Sequence, residues 1–306
     1  MLIELHVWGP AFGLPSVDPE CLATLAFAEQ SLREGEWALV AAHDVSLSPT
    51  NEFPALRDGE KWIGGFHSIV KYVRGHRCER RNIDSELSPG QLADQIAFAS
   101  FLRTNALPLL DLNLYTSSTN YYNATAPAFT ALLPWNLNYM VPPARRAEAR
   151  KRTHHLGLQG LDVDSIQDDD SLEAAKRNAG IPAASARPSL LSFNKKSRGL
   201  KGILSQPEYA ARFKLDALAT DCLAPLDELL DEEEEKFFLL ANSSPTSLDC
   251  LAFGYLALMV YPELPQPWLV DTIKSRFPKI ASYVTRMRNY VLLEEETRPA
   301  DLMALN

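Results

Sequence analysis

Phe53-Pro54-Ala55-Leu56-Arg57-Asp58-Gly59-Glu60-Lys61-Trp62-Ile63-Gly64-Gly65-Phe66-His67-Ser68-Ile69-Val70-Lys71-Tyr72 is the stretch on which the fold turns. Two apolar runs flank Asp58-Gly59, a pair that favours a tight hairpin because glycine takes positive φ without steric cost. Beyond it, Ser68 is placed to cap a helix that carries Ile69, Val70, Tyr72 and Val73, with Arg74 near its C-terminal end and Gly75 as its stop.

Upstream, Leu2 to Trp8 alternates like a short strand and ends at the breaker Gly9-Pro10. Asp18-Pro19-Glu20 supplies an N-cap, a proline at the first helical position and an early acid before Leu22, Leu25, Phe27 and Leu32. Trp37 to Ala42 is a continuous apolar run, suited to a strand covered on both faces. Strand, helix, strand, hairpin, helix is an α/β unit and predicts a thioredoxin-like domain over residues 1–76.

Downstream the pattern changes. Residues 77–90 are polar and broken, as a linker is, and from Gln91 helical spacing replaces the strand signals. An all-α domain is predicted over 91–306, with long helices at Tyr209 to Leu230, Leu248 to Tyr261, Trp268 to Phe277 and Ile280 to Val291. Pro225 should kink the first, and the second, apolar nearly all round, should be the buried central helix. Residues 156–205 have weak periodicity and read as a mobile insertion. Arg74, Arg77, Arg80 and Arg81 read as a solvated linker, the alternative being an anionic lipid or an acidic partner. Asp231-Glu232-Glu233-Glu234-Glu235 reads as a solvated turn and not as a metal site.

Phe53-Pro54-Ala55-Leu56, Asp58-Gly59 and Ser68-Ile69 resemble the pattern of glutathione-transferase-like proteins, and the resemblance implies a cis peptide before Pro54. Thr246-Ser247-Leu248-Asp249 forms a capping box in which the Thr246 hydroxyl and the Asp249 carboxylate satisfy helix-start N–H groups reciprocally. At the head of the central helix it is similar to the capping motif of the transferase helical domain. Leu5-His6-Val7-Trp8-Gly9-Pro10, Leu133 to Tyr139 with Pro142-Pro143, and Ser247-Leu248-Asp249 with Phe253-Gly254-Tyr255 narrow the resemblance. They resemble the metaxin family, in particular the fungal metaxin-like subunits of the mitochondrial sorting and assembly machinery.

That resemblance implies a peripheral protein on the cytosolic face of the mitochondrial outer membrane. The implied partners are a β-barrel core subunit, a second metaxin-like subunit and the outer-membrane import translocase, with β-barrel precursors as clients. It also implies that a membrane segment can follow Asn306, and no enzymatic activity, cofactor or metal is expected. The alternative is a cytosolic glutathione-dependent transferase.

The chemistry of the residues agrees. A glutathione transferase needs a hydroxyl or thiol at the start of its first helix, and Trp8 to Pro15 offers none, while Ser16 comes late in the loop. His67 precedes Ser68 where transferases carry an acid, so Pro54, His67 and Ser68 mark at most a vestigial glutathione-type site. A helix start there would still favour an anion. His154-His155 are adjacent and lack the spacing of a metal pair.

With 30 Lys plus Arg against 39 Asp plus Glu and a net charge of −9, nucleic acid is an unsuitable ligand. Cys21, Cys78, Cys222 and Cys250 are scattered, which fits a reducing compartment. No run is long and apolar enough for a membrane span, and Met1 leads directly into the first strand with no targeting segment. The aromatic segment Tyr115, Tyr121, Tyr122, Phe129, Trp135 and Tyr139 is richer than a helix connection requires and is a candidate interface, core packing being the alternative. Trp62 and Trp268 are assigned to the core or the domain junction.

Overall fold

The alternation of Ile3, Leu5 and Val7 in β1 (Ile3–Val7) places these side chains in the core, all 2% exposed or less, and β1 becomes the centre of the sheet. In a computed structural model, which describes residues 2–33, 35–76, 82–158, 207–230, 244–292 and 303–304, the strand order is β4-β3-β1-β2-β5. β2 (Trp37–Ala41) pairs parallel to β1, with Leu5 opposite Leu39, after a crossover through α1 (Pro19–Ser31). β3 (Ala55–Asp58) runs antiparallel to β1 and closes the hairpin with β4 (Lys61–Gly64), where Gly59 adopts a φ of 63°. The Phe53–Pro54 peptide bond is cis.

α2 (Phe66–His76) starts three residues earlier than a cap at Ser68 predicts. Gly65, at a φ of 79°, makes the turn out of β4, so the chain enters the helix at Phe66 and Ser68 lies exposed inside the first turn. Gly75 does not stop this helix, which continues through it to His76. Arg77, Cys78, Arg80, Arg81 and the acid run 231–235 lie outside the described residues, as does the predicted insertion from 159 onward. Leu156 and Leu158 are described: Leu158 is buried with Leu112 and Leu215, and Leu156 packs against them.

The helical half opens at α3 (Pro89–Phe101), two residues before the predicted boundary, under a complete capping box between Ser88 and Gln91. The chain then stays helical through alternating π-turns and α-turns: Leu102–Ala106, α4 (Leu107–Asp111) and Leu112–Thr116. After α5 (Ser118–Asn120), a third π-turn at Tyr121–Thr125 leads into α6 (Ala126–Leu132). Two of the π-turns stand just before Pro108 and Pro127. A proline ring cannot donate to the carbonyl four residues back, and the wider turn, closed by Leu107 N–H to Leu102 O and Ala126 N–H to Tyr121 O, accommodates it.

α7 (Val141–Thr153), α8 (Pro207–Leu229, containing Pro225), α9 (Ser247–Val260), α10 (Trp268–Arg276) and α11 (Pro278–Leu292) complete the described helices. α9 is the central helix, buried from Ser247 to Met259. Its opposite number is α1, buried continuously from Cys21 to Ala28 because it lies between the sheet and α9. Gly254 sits where the two helices touch: a Cβ there would collide with the carbonyl oxygen of Pro19 and come within 3.0 Å of the Ala23 nitrogen. Finally, β5 (Met303–Ala304), in a region assigned from sequence to the helical domain, returns to the sheet and pairs parallel to β2.

Candidate functional site

A cleft of about 400 Å³ lies where the α/β domain meets the helical one. The first domain contributes Trp8, the α1 start from Val17 to Glu20, and His43, Glu52 and Phe53, while α4, α7 and α9 contribute the opposite wall. Asp18 caps α1, accepting from the N–H groups of Glu20 and Cys21 at 3.1 Å each. Its other oxygen accepts from Arg145 Nη1 of α7 at 3.3 Å. That guanidinium lies 4.5 Å from the centre of the Trp8 ring and 5.4 Å from that of Phe129, so one arginine joins a cap, a strand end and α6.

Two further ion pairs line the walls. Arg152 grips Asp111 through both oxygens, at 2.7 and 3.0 Å, and burial pushes the Asp111 carboxyl up against the pull of that arginine. Glu20 takes Arg103 Nε at 3.0 Å and the Phe66 N–H at 3.4 Å, and here too burial raises the carboxyl. The Phe66 contact bears on the predicted anion site. The first amide of α2 is already given to the chain's own Glu20 carboxylate.

No serine, threonine or cysteine lines this cleft among the described residues. Cys21 is fully buried in α1, and burial holds its thiol well above the ordinary range. Ser16, 1% exposed, is turned inward, where its Oγ accepts the Asp18 N–H at 3.3 Å. Tyr115 and Tyr255 line the cleft from the helical side, and burial raises both phenols and keeps them protonated. The arrangement can donate hydrogen bonds and present carboxylates; it has no activated nucleophile.

The residues singled out from sequence do not converge. Pro54 lies at the head of β3, whereas His67 and Ser68 are exposed on α2 and outside the cleft. Thr246 and Asp249 form the capping box: the carboxylate accepts from Thr246 N at 2.8 Å, and Tyr283, itself fully buried, donates to Asp249 Oδ1 at 3.2 Å. The aromatic segment divides. Tyr115, Tyr121 and Phe129 are core residues, correcting their assignment to an interface: Tyr121 lies under the Arg146 guanidinium of α7, and Phe129 meets the Trp8 ring edge-on. Tyr122, Trp135 and Tyr139 are exposed, the last two at 79% and 78%.

Sequence reasoning missed Arg145 and Arg152, since nothing local distinguishes them from the other basic residues of α7. It also missed Asp84, read as linker but buried, where it accepts from Ser247 N at 2.9 Å and Oγ at 2.7 Å and pairs with Arg74 at 3.3 Å. The one available signal was an acid standing between two domains with an N-terminal helix end close behind.

Fold and cleft together define a protein of the glutathione-transferase architecture whose domain junction is tied by its own ion pairs. A glutathione S-transferase of Ceriporiopsis subvermispora, solved with glutathione, shares the fold at a TM-score of 0.52 and 13% identity, covering 95% of this chain and 98% of that one. The model of the outer mitochondrial membrane transport complex protein family matches residues 21–146, and that of the glutathione S-transferase C-terminal domain matches 219–287. Metaxin-1 of Macaca fascicularis is 27% identical over 267 residues, covering 86% of this chain and 67% of that protein. Human metaxin-1 is also 27% identical, with 46% of its length covered, and Xenopus laevis metaxin-3 is 26% identical over 257 residues. Over 86% of its length the chain is thus similar to the metaxins.

Proposed function

We propose that this chain is a non-enzymatic subunit of the mitochondrial outer-membrane sorting and assembly complex. On the cytosolic face it supports the folding, insertion and release of β-barrel precursors, held by a barrel core subunit and a second metaxin-like subunit and within reach of the import translocase. The observation that carries the reading is the family match over residues 21–146, which spans α1 and the chain from α3 into α7, the helices that build the cleft wall and the aromatic turn.

The geometry supports it on two counts. The cleft lacks a hydroxyl or thiol of the first helix to activate a substrate thiol. Between α6 and α7, Pro134 to Met140 forms a turn that exposes Trp135, Tyr139 and Met140, and no Asp, Glu, Lys, Arg or His occurs from Leu112 to Ala144. An uncharged aromatic surface is chemistry for a covered face. None of the described helices is long and apolar enough to cross a membrane. Attachment then runs through protein contacts or through chain outside the described residues.

The test is a mild-detergent pull-down of the tagged chain from mitochondrial membranes. The expected result is co-purification of a β-barrel membrane protein, reduced by Trp135→Ala with Tyr139→Ala. Recovery of the chain with no barrel protein would overturn the assignment. Reduced glutathione at millimolar concentration should leave the melting temperature unchanged, and clear stabilisation would count against the non-enzymatic reading.

A further inference from the structure

The interdomain cleft has a charge pattern of its own. Asp18, Glu20 and Asp111 are neutralised by Arg145, Arg103 and Arg152 respectively. Two carboxylates of the lining are left over, Glu52 from the α/β domain and Glu148 from α7. Both are exposed and stand outside the close ion pairs among the described residues; Glu148 lies in the field of Arg152, one turn along α7, while Glu52 faces no such cation. Much of the remaining lining is apolar, with Val17, Phe53, Leu110, Leu114 and Val141 among it.

One polar atom of the lining is unaccounted for. Trp8 is 2% exposed, and its indole N–H has no acceptor among the described residues. A buried donor without a partner costs roughly 1–3 kcal/mol, so a ligand whose entry turns the indole toward the cleft and supplies an acceptor there relieves it. A peptide carbonyl is the ordinary acceptor of that kind. An anionic ligand meets the opposite conditions, because the arginines that face the cleft are already committed and the charges left over are negative.

We propose that this cleft binds a polypeptide segment in which a lysine or arginine adjoins an apolar side chain. The apolar side chain enters between α4 and α7, the cation is held by Glu52 and Glu148, and a backbone carbonyl accepts from Trp8. The volume of about 400 Å³ suits two or three residues of such a segment, not a whole domain. The inference stands on the cleft alone and does not depend on which membrane complex the chain serves.

The experiment is fluorescence anisotropy of the full chain with a labelled octapeptide of alternating leucine and lysine, beside a counterpart with glutamate in place of every lysine. The lysine peptide should bind saturably and the glutamate peptide about tenfold more weakly or worse. Glu52→Lys with Glu148→Lys should weaken the lysine peptide by about tenfold, and the Glu→Gln pair at the same positions by less. Ala144→Trp fills the cleft from an exposed position without changing charge and should abolish binding, with the unfolding midpoint of each variant confirming that it folds. Equal binding of the two peptides, indifference to both charge reversal and Ala144→Trp, or displacement by millimolar glutathione would each overturn the proposal.

Discussion

His6 shows how much one side chain can report about the sheet. It is 1% exposed on β1, with Nε2 at 3.1 Å from Glu4 and the ring 4.8 Å from that of Trp62. Burial lowers its pKa below the ordinary 6.5, outweighing the help of Glu4. The unfolded chain therefore binds more protons than the folded one as pH falls through about 6.5, and stability declines with acidification across that window. Urea unfolding should show a falling midpoint between about pH 7 and pH 5.5, and His6→Asn should flatten that decline; an unchanged slope would remove His6 from the account. At this scale the sequence is legible where partners are local. Thr246 and Asp249 are three residues apart, and their capping box is visible as a pattern. Arg145 and Asp18 are separated by 127 positions, and no local signal announces their pairing.

Among the elements, α1 and α9 carry the junction. Alanine is a better helix former than glycine by about 1 kcal/mol, so propensity alone would make Gly254→Ala stabilising. The close approach of the Pro19 carbonyl and the Ala23 nitrogen decides otherwise. The variant should lose about 1–3 kcal/mol in equilibrium denaturation, with the slope of the transition unchanged. A stabilised variant would mean that the two helices can move apart freely. Element type and order could be read from periodicity and capping, yet the π-turns could not. For two of the three the cause is a proline late in a helical run, which reads locally as a breaker, while Tyr115, Tyr121 and Phe129 pack into the core along the same run. The aromatic stretch divides into core and surface, which its spacing did not reveal.

For the molecule as a whole, Asp84 is the tie between halves. Its carboxylate, with no side-chain exposure, joins Arg74 on α2 to the first residue of α9. Asp84→Ala leaves the Ser247 N–H and the guanidinium without their acceptor and should cost roughly 2–4 kcal/mol. Calorimetry is the informative measurement, because weakening this tie should broaden or split the unfolding transition where loss of a simple surface contact would only shift it. Domain order was readable from the change in periodicity near Gln91, but what welds the domains is spread over residues far apart in the chain and could not be read.

β5 changes what counts as a part. The chain leaves the sheet after β4, builds the helical domain, and comes back to pair Met303 and Ala304 with Val40 and Ala41. A fragment cut at His76 would therefore lack one strand of its own sheet and would also bare the α1 face that α9 covers. An open β2 edge beside an apolar helix face is a template for self-association. The α/β half is thus a tenant of the whole chain, and severing it should yield a sticky piece, not a soluble module.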